Sequence, residues 1–136
     1  MDGEQVFADT SGFLALMDKD DAHHAAAVRE WRNFAEHQAA LWTSDYVRLE
    51  SSSLIQRRLG AAALVDFHDS ILPVASMAIV GEDGFERAFS QWRMAQLRHL
   101  SIVDLTSFDC MHRKKIPRAF SFDRHFKEQG FVISAV

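Results

Sequence analysis

Short apolar runs alternate along this chain with stretches of helical periodicity. Gln5, Val6, Phe7 and Ala8 read as a buried strand that stops at Asp9-Thr10-Ser11, residues whose side chains cap helix N-termini. Phe13, Leu14, Leu16 and Met17 predict a short helix, and the charged residues 18–21 a solvated turn. Val28, Trp31 and Phe34/Ala35 recur at helical spacing across residues 25–38. Leu41-Trp42-Thr43 predicts a second strand. Ser44 or Asp45 then caps a helix with Val47, Leu54, Ile55 and Leu59 on one face and Gly60 at its end. Residues 61–71 follow as another helix, and residues 74–80 as a third strand interrupted by Ser76. Asp83 is expected to cap a helix carrying Phe85, Phe89, Trp92 and Leu97, followed by a helix over about residues 101–114. Residues 119–122 predict a strand ending in Asp123, residues 124–129 a short helix stopped by Gly130, and residues 131–136 a last strand. The order βααβααβααβαβ calls for a parallel sheet with helices on both faces. Ligands in such folds sit beyond the carboxyl ends of the strands, and two candidate strands here end in aspartate, Asp9 and Asp123.

Composition narrows the picture. The 136 residues are 48% hydrophobic and 25% charged, which excludes a disordered chain and a fibrous repeat. Chains split into domains above about 250 residues, so residues 1–136 are expected to form one domain. Pro73, Pro117 and the glycines space elements inside it. The formal charge of −4 leaves no overall basic field for nucleic acid, so any such contact must be local. A single cysteine, Cys110, excludes an internal disulfide and fits a reducing compartment. Asp2 and Glu4 stand where a secretory leader needs basic residues, and no apolar run reaches membrane-spanning length. A cytoplasmic protein is expected.

The chemistry lies in four acids at element junctions beside small hydroxyls: Asp9 in ADTSG, Glu50 in YVRLESSSL, Asp104 in IVDLTSF and Asp123 in FSFDRHF. A doubly wound fold can bring them to one cleft. Two carboxylates 4 Å apart repel by about 4 kcal/mol at an effective dielectric near 20, so four together need cations or protons. All-oxygen ligands suit Mg²⁺ or Mn²⁺, ions that serve phosphoryl chemistry.

These segments carry a resemblance. VFADTSGFLALMDKDDAHHAAA, TSDYVRLESSSLIQRRLG, SIVDLTSFDCM and IPRAFSFDRHFKEQGF, in this order from residue 6 to 131, resemble the PIN-domain family and its VapC-type toxins of bacterial toxin–antitoxin systems. The resemblance implies a three-layer α/β/α sandwich around a five-stranded parallel sheet of order 3-2-1-4-5. It also implies an endoribonuclease dependent on Mg²⁺ or Mn²⁺ that hydrolyses RNA phosphodiesters of the tRNA or rRNA class. Asp9, Glu50, Asp104 and Asp123 match the family's acidic quartet, the expected catalytic and metal-binding set. Thr10 and Ser11 match the hydroxyls after the first aspartate, and Ser107 matches the helix serine; Thr10 and Ser107 are expected to orient carboxylates or water. The partners implied are an RNA substrate, a cognate antitoxin and a second copy in a homodimer. Two positions depart from the pattern. Asp45 stands where Asn is common, and Asp109 puts a charge where an apolar or small residue is usual.

Other features read differently. Residues 18–29 fail as a calcium loop, because His23 and Arg29 stand where Gly and Glu are required. His23 and His24 are adjacent and share no helix face. Cys110 is expected in the core, Asp109 as a solvated charge, and Phe85, Phe89 and Trp92 as core or dimer interface. Arg57 and Arg58, and the cluster His112, Arg113, Lys114, Lys115 and Arg118, are the basic groups available to RNA phosphates. A phosphoreceiver would need an acidic pair after its first strand, and an aspartyl phosphatase a DxDx motif; Asp9-Thr10-Ser11 supplies neither. The remaining competitors are a catalytically silent PIN-type interaction module and an RNA-processing nuclease outside toxin–antitoxin systems.

Overall fold

The computed structural model describes residues 3–135. Met1, Asp2 of the acidic N-terminus and Val136, the expected end of the last strand, lie outside the described residues. The elements run β1 (Gln5–Ala8), α1 (Thr10–Met17), α2 (His24–Glu36), β2 (Ala40–Ser44), α3 (Asp45–Leu59), α4 (Ala61–Asp66), β3 (Ser76–Ala78), α5 (Gly81–Ala95), α6 (Ile102–Lys114), β4 (Arg118–Phe120) and α7 (Arg124–Glu128). The sheet order is β3-β2-β1-β4, and every pairing is parallel. Val6, Phe7 and Ala8 on the central β1 are all fully buried. A strand keeps both faces dry only when helices cover both, the three-layer α/β/α arrangement.

The fifth position of the sheet is occupied, but not by a regular strand. Val132 bridges Arg118 in parallel, and Ser134 N–H donates to the Ser121 carbonyl at 3.0 Å. The Ser121 N–H donates not to a backbone carbonyl but to Ser134 Oγ, at 3.1 Å. A side-chain acceptor thus replaces a ladder bond, and the expected strand over residues 131–136 is reduced to one bridge.

Three boundaries also shift. The expected helix over residues 61–71 leaves α-geometry after Asp66, passing through a π turn at Phe67–Ile71 and a tight 3₁₀ turn at Leu72–Val74 with Pro73 at its start. That consumes the first part of the expected third strand, and β3 keeps only three residues at the sheet edge. Asp83 does not cap α5. It lies in the first turn with Glu82, where acids favour the helix dipole, and Val80 is the cap residue. Asp45 Oδ1 accepts the Val80 N–H at 2.9 Å, so the residue that departs from the family pattern ties the entry of α5 to the start of α3.

One close approach fixes the site end of the sheet. Gly12 on α1 faces β4 so closely that a Cβ there would stand 2.3 Å from the Phe120 carbonyl oxygen. Only glycine lets α1 lie this near the strand that leads to Asp123. Below it, Phe13 meets Phe67 and Trp31 edge-on, and Phe120 packs among Trp31, Phe34 and Phe122.

Candidate active site

The site lies beyond the carboxyl ends of β1, β2 and β4. Asp9 follows β1 and caps α1, accepting the Ser11 N–H at 3.4 Å. Its Oδ2 also accepts the hydroxyls of Ser11 at 3.0 Å and Ser121 at 3.1 Å. Ser11 Oγ in turn accepts the Phe122 N–H at 3.0 Å, and Ser121 Oγ the Asp123 N–H at 3.1 Å. This lattice binds the first aspartate to the β4 exit that carries the last. Thr10 donates its hydroxyl to Glu50 Oε1 at 2.8 Å and accepts that of Ser51 at 3.0 Å. Glu50, five residues into α3, is thereby fixed beside Asp9's helix. Asp104 enters from the first turn of α6, where Ser101 caps its backbone N–H at 3.0 Å. Asp123 caps α7 and accepts the His125 N–H at 2.9 Å.

Electrostatics bind the four acids into one cluster. Burial, then the Asp104 charge, push Asp9 from its ordinary 3.8 up to about 7, against the lowering effect of its serine and backbone hydrogen bonds. Burial also raises Asp104, with Asp123 and Glu50 adding to it. The described ion pairs of Arg87 and Arg118 run to Asp109 and Glu4, so neither arginine neutralises the cluster. Ser107 Oγ, one turn beyond Asp104 on the same face of α6, is wholly buried and has no hydrogen-bond partner. The structure therefore brings together Asp9, Glu50, Asp104 and Asp123, with Thr10 and Ser107 beside them. Four carboxylates and an unmatched hydroxyl, with no described Lys or Arg ion pair to any of the four acids, form a donor set that fits a divalent metal.

The sequence reading missed His125. One of its ring nitrogens, together with a carboxylate oxygen from Asp104 and one from Asp123, makes a set of three donors all within 4.8 Å of one another. The signal available was its position two residues after Asp123, in the first turn of a helix capped by that acid. Exposed Arg124 and Lys127 also stand close to Asp123, lining a groove with His23 and Phe122, whose rings stack at 4.7 Å.

The basic clusters lie farther off. Arg57 and Arg58 end α3, about 10–12 Å along its axis from Glu50. Arg113 and Lys114 end α6, about 13–15 Å from Asp104, with Lys115 as the cap residue. Lys114 lies over the Trp42 ring at 4.3 Å. Arg118 begins β4, at the opposite end of the sheet, and is held by Glu4 at 2.8 Å. The structure brings none of them to the acids. Asp109 is not a solvated charge: it receives a two-pronged bond from Arg87 of α5 and is mostly buried. Cys110 is half-buried, packed against the core and lining a groove, and burial pushes its thiol up, away from the reactive thiolate.

Comparison with known proteins fits this geometry. Residues 6–132 match the PIN domain family. The chain is 35% identical over 128 residues to the 23S rRNA-specific endonuclease VapC20 of Mycobacterium tuberculosis, covering 93% of this chain and 95% of that protein. The crystal structure of M. tuberculosis VapC20, described as a sarcin–ricin loop cleaving toxin, superposes with a TM-score of 0.83 over 93% of this chain and 96% of that one, at 35% identity. Rickettsia felis VapBC2, solved with a DNA fragment from its promoter, shares the fold at a TM-score of 0.70 and 10% identity, over 96% of this chain and 97% of that one. FitAcB of Neisseria gonorrhoeae shares it at 0.69 and 13%, over 96% of each chain. The chain belongs to the PIN-domain family, in its VapC-type endoribonuclease branch.

Proposed function

We propose that this VapC-type nuclease cuts ribosomal RNA with Mg²⁺ or Mn²⁺ held by Asp9, Glu50, Asp104 and Asp123. The observation that carries the reading is the gathering of four acids, two of them raised in pKa by burial and by one another's charge, at one end of the sheet. Bound there, the ion supplies a water of lowered pKa and offsets charge on the scissile phosphate. The chain's own residues prepare the place. Ser11 and Ser121 fix the Asp9 carboxylate, Thr10 fixes Glu50, and Ser107 is free to orient a water against Asp104. The shape of the site forces carboxylates together that repel one another, and the cation relieves that strain.

The ribosomal substrate rests on likeness to a 23S rRNA-specific endonuclease at 35% identity; this favours rRNA over the tRNA alternative. A protein antitoxin is the partner proposed, since the 35% identical VapC20 is described as a toxin. Exposed Arg124 and Lys127 next to the site, and more distantly Arg57, Arg58, Arg113, Lys114 and Lys115, are the groups proposed to meet RNA phosphates. Residues 1–136 are proposed to act as one domain in the cytoplasm; no helix among the described residues is long and apolar enough to cross a membrane. A two-fold homodimer is also proposed. Its support is the half-exposed ladder of Tyr46, Phe85, Phe89 and Trp92, flanked by exposed Leu49 and Met94.

The test is cleavage of ribosomes and of purified 23S rRNA, with cut sites mapped by primer extension. Wild type should cut in Mg²⁺ or Mn²⁺, and Asp104→Asn should not. Inert wild type with both ions would favour the silent interaction module. Cleavage of tRNA in preference to rRNA would overturn the substrate reading.

A further inference from the structure

The acids are not the only donors at the site, and the additional one is a nitrogen. Ring and carboxylate atoms of His125, Asp104 and Asp123 converge within 4.8 Å. On an octahedral ion with bonds near 2.1 Å, neighbouring and opposite ligand atoms stand about 3–4.2 Å apart, so a small closing motion makes these three an inner set. The ring is held in place. The backbone N–H of His125 is bonded to Asp123, and the next residue, Phe126, is fully buried between Phe108 and Phe131. His125 Nδ1 stands 3.2 Å from Asp123 Oδ1, out of contact with solvent, yet in no hydrogen-bond geometry. With Ser107 Oγ, that makes two buried polar atoms here without a hydrogen-bond partner among the described residues.

We infer that His125 is an inner ligand of the cation, alongside Asp104 and Asp123, and that its imidazole selects Mn²⁺ over Mg²⁺. Mg²⁺ is a hard ion that takes oxygen and keeps its waters, whereas imidazole binds transition metals readily. The inference rests on the metal-dependent reading above and refines it. Asp9 and Glu50, each with one carboxylate oxygen engaged by Ser11 and Ser121 or by Thr10, then complete the outer part of the site.

The experiment uses the purified full chain and Mn²⁺ alone. Electron spin-echo modulation of bound Mn²⁺ should show coupling to a directly bonded ¹⁴N in wild type. The coupling should vanish in His125→Gln and persist in His99→Gln, whose ring lies against that of His125 at 5.4 Å. Losing an outer partner of a ligand commonly costs tenfold or more in affinity, so losing the ligand itself should weaken Mn²⁺ binding by at least about tenfold. Mg²⁺ binding, read by competition, should change far less. The wild-type spectrum answers the question even if His125→Gln folds poorly, which circular dichroism would reveal. Bound Mn²⁺ without ¹⁴N coupling, or with coupling that survives His125→Gln in a folded protein, would overturn the inference and leave the acidic metal site standing. No Mn²⁺ binding at all would overturn both.

Discussion

Asp9→Asn should stabilise the metal-free protein at neutral and alkaline pH while destroying its activity. The perturbation removes a buried charge. Burial and the neighbouring Asp104 raise Asp9 from 3.8 to about 7, and one pH unit of such a change is worth 1.36 kcal/mol. The folded state therefore holds this proton more tightly than the unfolded chain does. Stability from this group is greatest below about pH 4, falls as pH rises toward 7, and levels off beyond, by roughly 4 kcal/mol in total. Asparagine cannot ionise and escapes that loss. Its single carbonyl oxygen can keep the contacts of Ser11 and Ser121, which all converge on one oxygen of Asp9. Its new amide N–H₂ is left without an evident partner, at a cost of about 1–3 kcal/mol. The net expectation at pH 8 is a gain of roughly 1–3 kcal/mol over wild type. Urea unfolding at pH 5 and pH 8, in chelator, measures it. Wild type should be the less stable at pH 8, and the variant should show a much flatter profile. A variant less stable than wild type at pH 8, or a wild type that gains stability between the two values, would refute the electrostatic account of the site.

Three other changes separate the remaining claims. Gly12→Ala should destabilise by at least about 1–3 kcal/mol, because its Cβ meets the Phe120 carbonyl and not a yielding side chain; thermal unfolding reads it. Arg87→Ala should lower the melting temperature by leaving the mostly buried Asp109 unpaired, and adding Asp109→Asn should recover part of the loss. Thr10→Val should leave the fold intact and reduce RNA cleavage, since it frees Glu50 from its only described side-chain hydrogen bond.

The legible part of the molecule was the part set by local rules. The run Val6-Phe7-Ala8 ending in Asp9 announced a buried strand and a cap, and both are present. Ser44 caps α3 and Gly60 ends it as their residue types require. Asp9 and Asp123 were legible as caps at strand ends, which converge in a doubly wound sheet, whereas Glu50 and Asp104, inside α3 and α6, were legible chiefly through the family resemblance. What stayed hidden depends on distant partners. The hydroxyl of Ser134, thirteen residues from Ser121, displaces a backbone acceptor and dissolves the last strand. Asp109 looked like a surface charge because its partner, Arg87, lies on another helix. Arg118 looked free until the fold set Glu4 beside it, 114 residues away. His125 was passed over because histidine two residues after a capping acid has no fixed meaning; only the arrival of Asp104 from α6 gives it one.

The central claim is that the strand-end acids hold a divalent ion on which RNA cleavage depends. It is tested most directly by one Mn²⁺ titration, read twice in the same buffer: as protein stability and as cleavage of ribosomal RNA. An ion that binds only the folded protein adds about 2.7 kcal/mol at a hundred times its dissociation constant. The account predicts that wild type gains this stability and its activity over the same range of Mn²⁺, and that Asp104→Asn gains neither. Full cleavage in chelator, or cleavage that rises with Mn²⁺ while stability does not move, would contradict it.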